Sequence, residues 1–427
     1  MANRSRALTG LVALSWIALA PSGAAPAAAT DPIAAVSAPA LASATPFYSR
    51  KFSRRPSPAT LTTLGRAIFF EPALSASGKQ ACATCHDPAH AFGPPNGLAV
   101  QLGGPDMTRA GLRTVPSLRY LTKVPAFTEH YFETELGDSI DQGPTGGYTW
   151  DGRARTVHEQ AQLPLLSPFE MANANIHAVV ERVRASPLAA ELKQAFGDDV
   201  LAEDERAFAA LTWALEVFQQ SPADFYPYSS KYDAVLRRQA RLSDEEALGL
   251  EVFNDPGRGN CASCHPSSMR EGAFPQFTDF GFIAVGVPRN PEIPANADPS
   301  YVDLGLCGPQ RTDFADHPDY CGRFRTPTLR NVAIRSVFFH NGAMHDLRKV
   351  VDFYARRDTE PGAWYPHRPD GTVAVFDDLP SIYAGNLNRD PPFDRKPGDR
   401  PVMSPIEVDA VVAFLQTLTD GWSRPTE

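Results

Sequence analysis

The sequence predicts a mainly α-helical protein built from two similar helical domains, and three observations lead there. Apolar residues recur at helical spacing in several separate segments. Few stretches alternate as strands do, and forty prolines with thirty glycines place long irregular connections between the helices. The second half of the chain also repeats short pieces of the first in the same order.

The elements follow in chain order. Residues 1–29 read as a cleaved export signal, with Arg4 and Arg6 ahead of an apolar run at 8–20 and alanines at 27–29 as the cleavage site. The run is too short for a membrane anchor, which needs roughly 20 apolar residues, and Pro21 breaks it. After cleavage no later stretch is apolar enough to span a bilayer, so export to the periplasm is expected. Residues 30–56, rich in Ala, Pro and Ser, form a flexible lead-in. About 400 residues remain after signal cleavage, which favours two or three domains. The first, 57–235, opens with a helix at 57–70 that sets Leu61, Leu64 and Ile68 on one face. A Gly/Pro-rich stretch at 93–117 reads as loop, and 176–196 and 203–220 read as helices, the latter with a stripe of Phe208, Leu211, Leu215 and Phe218. The pattern lapses at 221–240. The second domain, 240–427, restarts with a helix at 243–253, where Ser243 and Glu246 have capping-box spacing. It ends with one at 404–421, where Ser404, Pro405 and Glu407 start the helix and Val408, Val411, Val412 and Leu415 face a core.

The repeat ties these halves together. L-G-R-A-I-F at 64–69 matches L-G-L-E-V-F at 248–253, R-T-V-P-S-L-R at 113–119 matches R-T-P-T-L-R-N at 325–331, and W-D-G-R-A at 150–154 more faintly matches H-N-G-A-M at 340–344. Each copy also carries C-x-x-C-H, as Cys82, Cys85 and His86 and as Cys261, Cys264 and His265. A redox dithiol would be expected in a thioredoxin-like βαβ pattern, and none is visible. Zinc would take four ligands from paired clusters, but exported proteins rarely keep thiolates free. Covalent haem attachment explains every letter, with two thiols adding across the vinyl groups and the histidine reaching the iron. The chain is therefore expected to hold two c-type haems in cytochrome c-like domains. Cys307 and Cys321 remain, and in an oxidising compartment they are expected to pair. A net charge of −9 argues against a nucleic-acid surface and would suit a basic partner protein.

The other face of each haem separates carrier from enzyme, because an iron with an open face can activate oxygen species. Residues 91–129 contain no histidine, Met107 is their only methionine, and His90 is too close to His86 to cross the same haem. The first haem is thus expected to be open.

Together, both C-x-x-C-H motifs, W-D-G-R-A and T-P-T-L-R-N-V-A-I-R-S-V-F-F-H-N-G resemble the bacterial di-haem cytochrome c peroxidase family, which includes MauG, an oxidase of tryptophans in another protein. The resemblance runs from about residue 60 to the C-terminus and implies two helical cytochrome c-like domains with one haem each. It implies that peroxide binds the His86 haem beside Gln160 and Glu170, with Pro164 in the same pocket and Trp150 between the haems. A carboxylate there can move a proton between the peroxide oxygens, and an amide can orient them. Ordinary peroxidases of the family carry a histidine before P-S/T-L that closes the first haem; T-R-A-G-L-R-T-V-P-S-L has none, as in MauG-like members. The family's second distal ligand, fourteen positions after the histidine of F-H-[DNS]-G, falls on Tyr354, with Met344, His345 and His340 as alternatives. The family often holds calcium through an asparagine after P-S/T-L and carbonyls of T-x-P. Tyr120, Arg335 and Val337 stand at those positions, which makes calcium doubtful.

The expectation is a monomeric or weakly associating enzyme that reduces H2O2 with electrons from a small cytochrome c or copper protein. The alternatives are a MauG-like oxidase of aromatic residues in a protein substrate and a non-catalytic electron carrier.

Overall fold

Ser57 accepts a hydrogen bond from the Thr60 amide and so opens α1 (Pro58–Phe69), with Pro58 in the first turn. Leu61, Leu64 and Ile68 are all buried on its inner face. The computed structural model describes residues 52–132 and 140–424. The expected export signal at 1–29 and residues 30–51 of the lead-in lie outside the described residues.

After α1 come the short α2 (Cys82–Cys85) and the two-residue strands β1 (Leu102–Gly103) and β2 (Arg109–Ala110), paired antiparallel. The helix α3 (Val157–Leu166) is capped by Thr156. The single helix expected at 176–196 is two, α4 (Ile176–Arg184) and α5 (Leu188–Phe196). Pro187 explains the break, since it has no amide hydrogen and disfavours helical backbone at Ser186. The long α6 (Asp204–Phe218) follows, with its expected stripe buried.

Where the pattern lapses at 221–240 the chain still makes α7 (Pro222–Phe225) and α8 (Lys231–Leu236), the latter with a capping box. The second half continues with α9 (Asp244–Asn254), then β3 (Phe282–Ile283) paired antiparallel with β4 (Phe324–Arg325). It closes with α10 (Leu347–Arg356) and α11 (Pro405–Gln416). The boxes Ser243/Glu246 and Ser404/Glu407 are both formed. Val408, Val411 and Leu415 are buried and Val412 is half-buried.

Two apolar cores result. One gathers Leu61, Phe69, Val179, Phe196, Leu211, Phe218 and Phe225. The other gathers Tyr232, Val252, Phe253, Phe277, Val411 and Phe414. Burying each such ring stabilises the fold by about 1.5–3 kcal/mol relative to exposure. The repeat is visible in how both cores are built. In each, a helix lies against the carbonyl of an alanine in the facing helix: an ideal Cβ on Gly65 would stand 2.0 Å from the Ala214 oxygen, and one on Gly249 1.9 Å from that of Ala410. Phe69 meets Phe218 at 5.5 Å between ring centroids, and Phe253 meets Phe414 at 5.2 Å. The L-G-x-x-x-F pieces therefore encode one helix crossing, used twice. A smaller cluster of Phe282, Leu306, Phe314 and Tyr320 surrounds the disulfide between Cys307 and Cys321.

Candidate active site

Each C-x-x-C-H sits on one tight turn of backbone. In the first, the Ala81 amide donates to the Thr84 hydroxyl (2.9 Å) and the His86 amide to the Cys82 carbonyl (2.9 Å). The His86 ring bonds through Nδ1 to the Phe92 carbonyl at 3.0 Å, and the His265 ring does the same to Phe277 at 2.7 Å. Nδ1–H donated to a carbonyl is the tautomer that a metal ligand bonding through Nε2 requires, and the His86 ring also meets the Pro116 carbonyl. Burial pushes both histidines down to about 4, so both rings are neutral at physiological pH. The four motif cysteines are unpaired. As free thiols, burial would push Cys82 and Cys261 up to about 12, which does not suit a thiolate nucleophile.

Glu170 follows α3, in a turn where its amide donates to the Ser167 carbonyl (3.1 Å) and its own carbonyl accepts from the Gly104 amide (2.8 Å). Gly103 is required there, because a Cβ would stand 2.2 Å from the Phe169 oxygen. Glu170 is an exposed residue, although the protein around its carboxyl strips away part of its hydration. Loss of hydration pushes it above the ordinary carboxyl range, against the opposing pull of Arg153 and Ser167. Its charge is felt by Cys82 and Cys85, which places it near the first motif. Gln160 lies half-buried on α3, and its side-chain amide has no hydrogen-bond partner among the described residues. Pro164, one turn on, lacks the N–H that would bond the Gln160 carbonyl. Met107 receives the Ser77 hydroxyl (3.4 Å), and His90 is turned to Asp87 (2.7 Å).

A cavity of about 230 Å³, far larger than the voids of a packed core, is lined by Cys261, Cys264, His265, Trp150, His340 and Tyr354 among others. Trp150 is held by its indole N–H on the Thr114 carbonyl (2.7 Å), and the Thr114 amide donates to the His340 carbonyl (2.7 Å). Tyr354 is presented by α10 between Phe339 and Phe393. Its hydroxyl has no hydrogen-bond partner among the described residues, and burial beside Cys264 and Cys261 pushes the phenol up. The other candidates for that position divide. Met344 is packed with Val287, Phe353 and Tyr365, and His345 pairs with Glu292 at 3.3 Å. His340 does line the cavity, stacked on Phe324 at 3.5 Å with its Nε2 buried and unpartnered.

Several residues of the site were not read from sequence. Arg113 clamps Asp303 through two nitrogens (2.5 and 2.7 Å) and Asp151 through a third (2.6 Å), which fixes the W-D-G-R-A segment. Arg325 donates through Nε to the Thr149 carbonyl (3.1 Å), and Arg335 reaches the Val115 carbonyl (3.0 Å). Neither has a carboxylate partner among the described residues. Arg113 and Arg325 are the paired arginines of the repeated R-T segments, so the duplication was the signal that could have found them.

Residues 59–241 match the family model described as di-haem cytochrome c peroxidase. The chain is 35% identical over 388 residues to the methylamine utilization protein MauG of Paracoccus denitrificans, covering 87% of this chain and 91% of that protein. The chain belongs to the di-haem cytochrome c peroxidase and MauG family. It is also 26% identical over 323 residues to the cytochrome c551 peroxidase of Nitrosomonas europaea, covering 70% and 74% of the two chains. The crystal structure of the diheme peroxidase BthA from Burkholderia thailandensis is similar at a TM-score of 0.75 and 40% identity, covering 86% of this chain and 87% of that one.

Membership in the di-haem family implies two c-type haems, and the residues present fit them. Paired thiols stand beside a neutral histidine whose Nδ1 is bonded to a carbonyl at both motifs, and the cavity at the second carries two guanidiniums without carboxylates, suited to a group with two acidic side chains. They do not fit calcium. The Tyr120 hydroxyl donates to Asp420 (2.7 Å) and accepts from the Tyr228 amide (3.0 Å), while the Val337 carbonyl already accepts from Arg335 (3.3 Å). No helix among the described residues is long and apolar enough to cross a membrane.

Proposed function

We propose that this chain is a periplasmic di-haem c-type peroxidase that reduces H2O2 to water with electrons from a small redox protein such as cytochrome c. Residues 57–235 would form the peroxide-binding haem domain and 240–427 the electron-transfer haem domain, each haem bonded to its cysteine pair. Export rests on the basic and apolar pattern of residues 1–29. The observation that carries the reading is the carboxyl of Glu170, near enough for Cys82 and Cys85 to feel its charge and held above the ordinary carboxyl range by loss of hydration.

Bound haem supplies the iron at which the O–O bond breaks and through which electrons arrive. Glu170 takes the proton from one peroxide oxygen and returns it to the departing one, so that H2O2, two electrons and two protons give two waters. A carboxyl whose affinity for protons is raised by dehydration is suited to both halves of that transfer. Gln160, with an uncommitted amide, orients the peroxide. Trp150, pinned by Thr114 against the second cavity, gives electrons a path between the halves.

A second reading, a MauG-like oxidase of aromatic residues in a partner protein, is favoured by Tyr354, an unpartnered phenol beside Cys261 and Cys264. One experiment separates them. H2O2 is added to the purified holoprotein, electronic and EPR spectra are recorded, and reduced cytochrome c is then offered. Rapid cytochrome oxidation supports the peroxidase; a long-lived oxidised state with negligible turnover supports protein oxidation. Spectra indifferent to peroxide defeat both and leave an electron carrier.

A further inference from the structure

Arg335 closes the single turn Val332–Ile334 in the second half of the chain and reaches across to the first. Its Nη2 donates to the Val115 carbonyl (3.0 Å) and its Nε to the Val337 carbonyl (3.3 Å). Nη1 lies 3.2 Å from where a Cβ on Gly93 would stand, so a side chain there would press on the guanidinium. Protein encloses the group, and its remaining surface opens into the cavity that holds His265 and Trp150. Burial alone pulls it down to about 10, which leaves it charged at neutral pH. That charge is felt by His86.

A guanidinium taken out of water needs an anion, because two carbonyls replace only part of its hydration. Among the described residues no carboxylate pairs with it. The carboxylates lining the same cavity are Asp303 and Asp378, and both are committed, Asp303 to Arg113 (2.5 Å) and Asp378 to Arg289 (3.1 Å). The missing anion must come from what fills the cavity. The Val337 carbonyl and the Tyr120 position are also those that the family resemblance assigns to a divalent ion, and here one faces a cation while the other is bonded to Asp420. A second, divalent cation at that carbonyl would be repelled at close range.

We propose that the Arg335 guanidinium is the fixed cation joining the two halves of this protein in place of calcium, and that its counter-anion is a haem propionate carboxylate. The salt bridge makes the join independent of dissolved metal and holds a positive charge beside the haem sites. Arg335 is a positioning residue: it touches neither peroxide nor iron. The inference rests on the di-haem reading but not on peroxidase activity, since a protein inert to H2O2 would show the same potentials and the same response to chelators.

The test uses holoprotein from a host that matures c-type cytochromes. Wild-type protein is dialysed against EDTA and then given millimolar Ca²⁺, and its melting temperature, haem spectrum and metal content are followed. None should change, and calcium should be below stoichiometric. Arg335→Gln and Arg335→Lys are compared by spectroelectrochemical titration. Loss of the cation should stabilise oxidised iron and lower a midpoint potential by about 59 mV, a tenfold change in the reduction equilibrium, whereas Lys should restore most of it. Stoichiometric calcium whose removal alters the wild-type spectrum overturns the proposal. So does a Gln variant with unaltered potentials. Should the Gln variant fail to mature, the chelation result and the potential of the Lys variant still decide the matter.

Discussion

Gly249 of α9 lies directly on the backbone of Ala410 in α11, with 1.9 Å between an ideal Cβ and that carbonyl oxygen. A methyl group there has to push the two helices of the second core apart, and overpacking of this kind costs about 1–3 kcal/mol. Alanine's better helix propensity offsets only about 1 kcal/mol. Gly249→Ala, and its counterpart Gly65→Ala against Ala214, should therefore lower the melting temperature of the holoprotein. Gly385→Ala serves as control, because nothing lies within 4 Å of a Cβ at that site. Equal melting temperatures for Gly249→Ala and the control would remove the crossing as a source of stability.

The Cys307–Cys321 bridge should act on stability without touching the haem sites. Its sequence separation of 14 closes a short loop, and the chain-entropy model assigns such a loop about 3 kcal/mol. Replacing both cysteines by serine should lower the urea midpoint and increase amide exchange around Phe282, Leu306 and Tyr320. The haem spectrum should stay as it was. A spectrum that changes in the double variant would place the bridge in the site itself.

What was legible in the sequence was local. The caps at Ser243 and Ser404 and the stripes of α1 and α6 depend on residues within one or two turns, so spacing alone reveals them. The join at Pro187 was misread because the apolar spacing runs on through it, although the backbone cannot. The helices α7 and α8 are too short to show a period. At the site, the motif cysteines and histidines announce themselves, but the surroundings do not. Arg113 meets Asp303, and Arg335 meets Val115, across long stretches of chain, and no local pattern encodes such meetings. Glu170 and Tyr354 were reachable only through family resemblance, since a lone carboxylate after a helix or a tyrosine within one is commonplace in any helical protein.

Glu170 should separate rate from stability. Glu170→Gln keeps the shape of the side chain and removes its proton chemistry, so peroxide reaction followed by stopped flow should slow by about 10²-fold. The sign for stability is opposite. A carboxyl whose folded pKa is raised gives stability that is present below its unfolded pKa and lost as pH rises through its folded pKa. Above that folded pKa the wild type has lost the contribution, so there the Gln variant should melt at the same temperature or higher, by a margin that vanishes in acid. The wild-type peroxide rate should climb with pH through the ionisation of Glu170 and then level off, and the variant should lack that limb. A variant that reacts at the wild-type rate would take Glu170 out of the mechanism.

Tyr354 tests the second haem site. Its hydroxyl gives up no protein hydrogen bond on removal, and the ring keeps its neighbours Phe339 and Phe393. Tyr354→Phe should therefore change the stability of the polypeptide by less than about 1 kcal/mol. If the phenol reaches the iron opposite His265, the same variant should nonetheless alter the oxidised electronic and EPR spectra of that haem. Tyr354→Met should restore six-coordination with a thioether and raise the midpoint potential, because a neutral sulfur ligand favours reduced iron more than an anionic oxygen does. Burial strengthens the contrast. It pushes the free phenol up, so only a bonded metal would hold it deprotonated at neutral pH. A half-buried aromatic with no ligand role predicts unaltered spectra in both variants, and that result would leave His340, with its unpartnered Nε2 on the same cavity, as the residue to replace next.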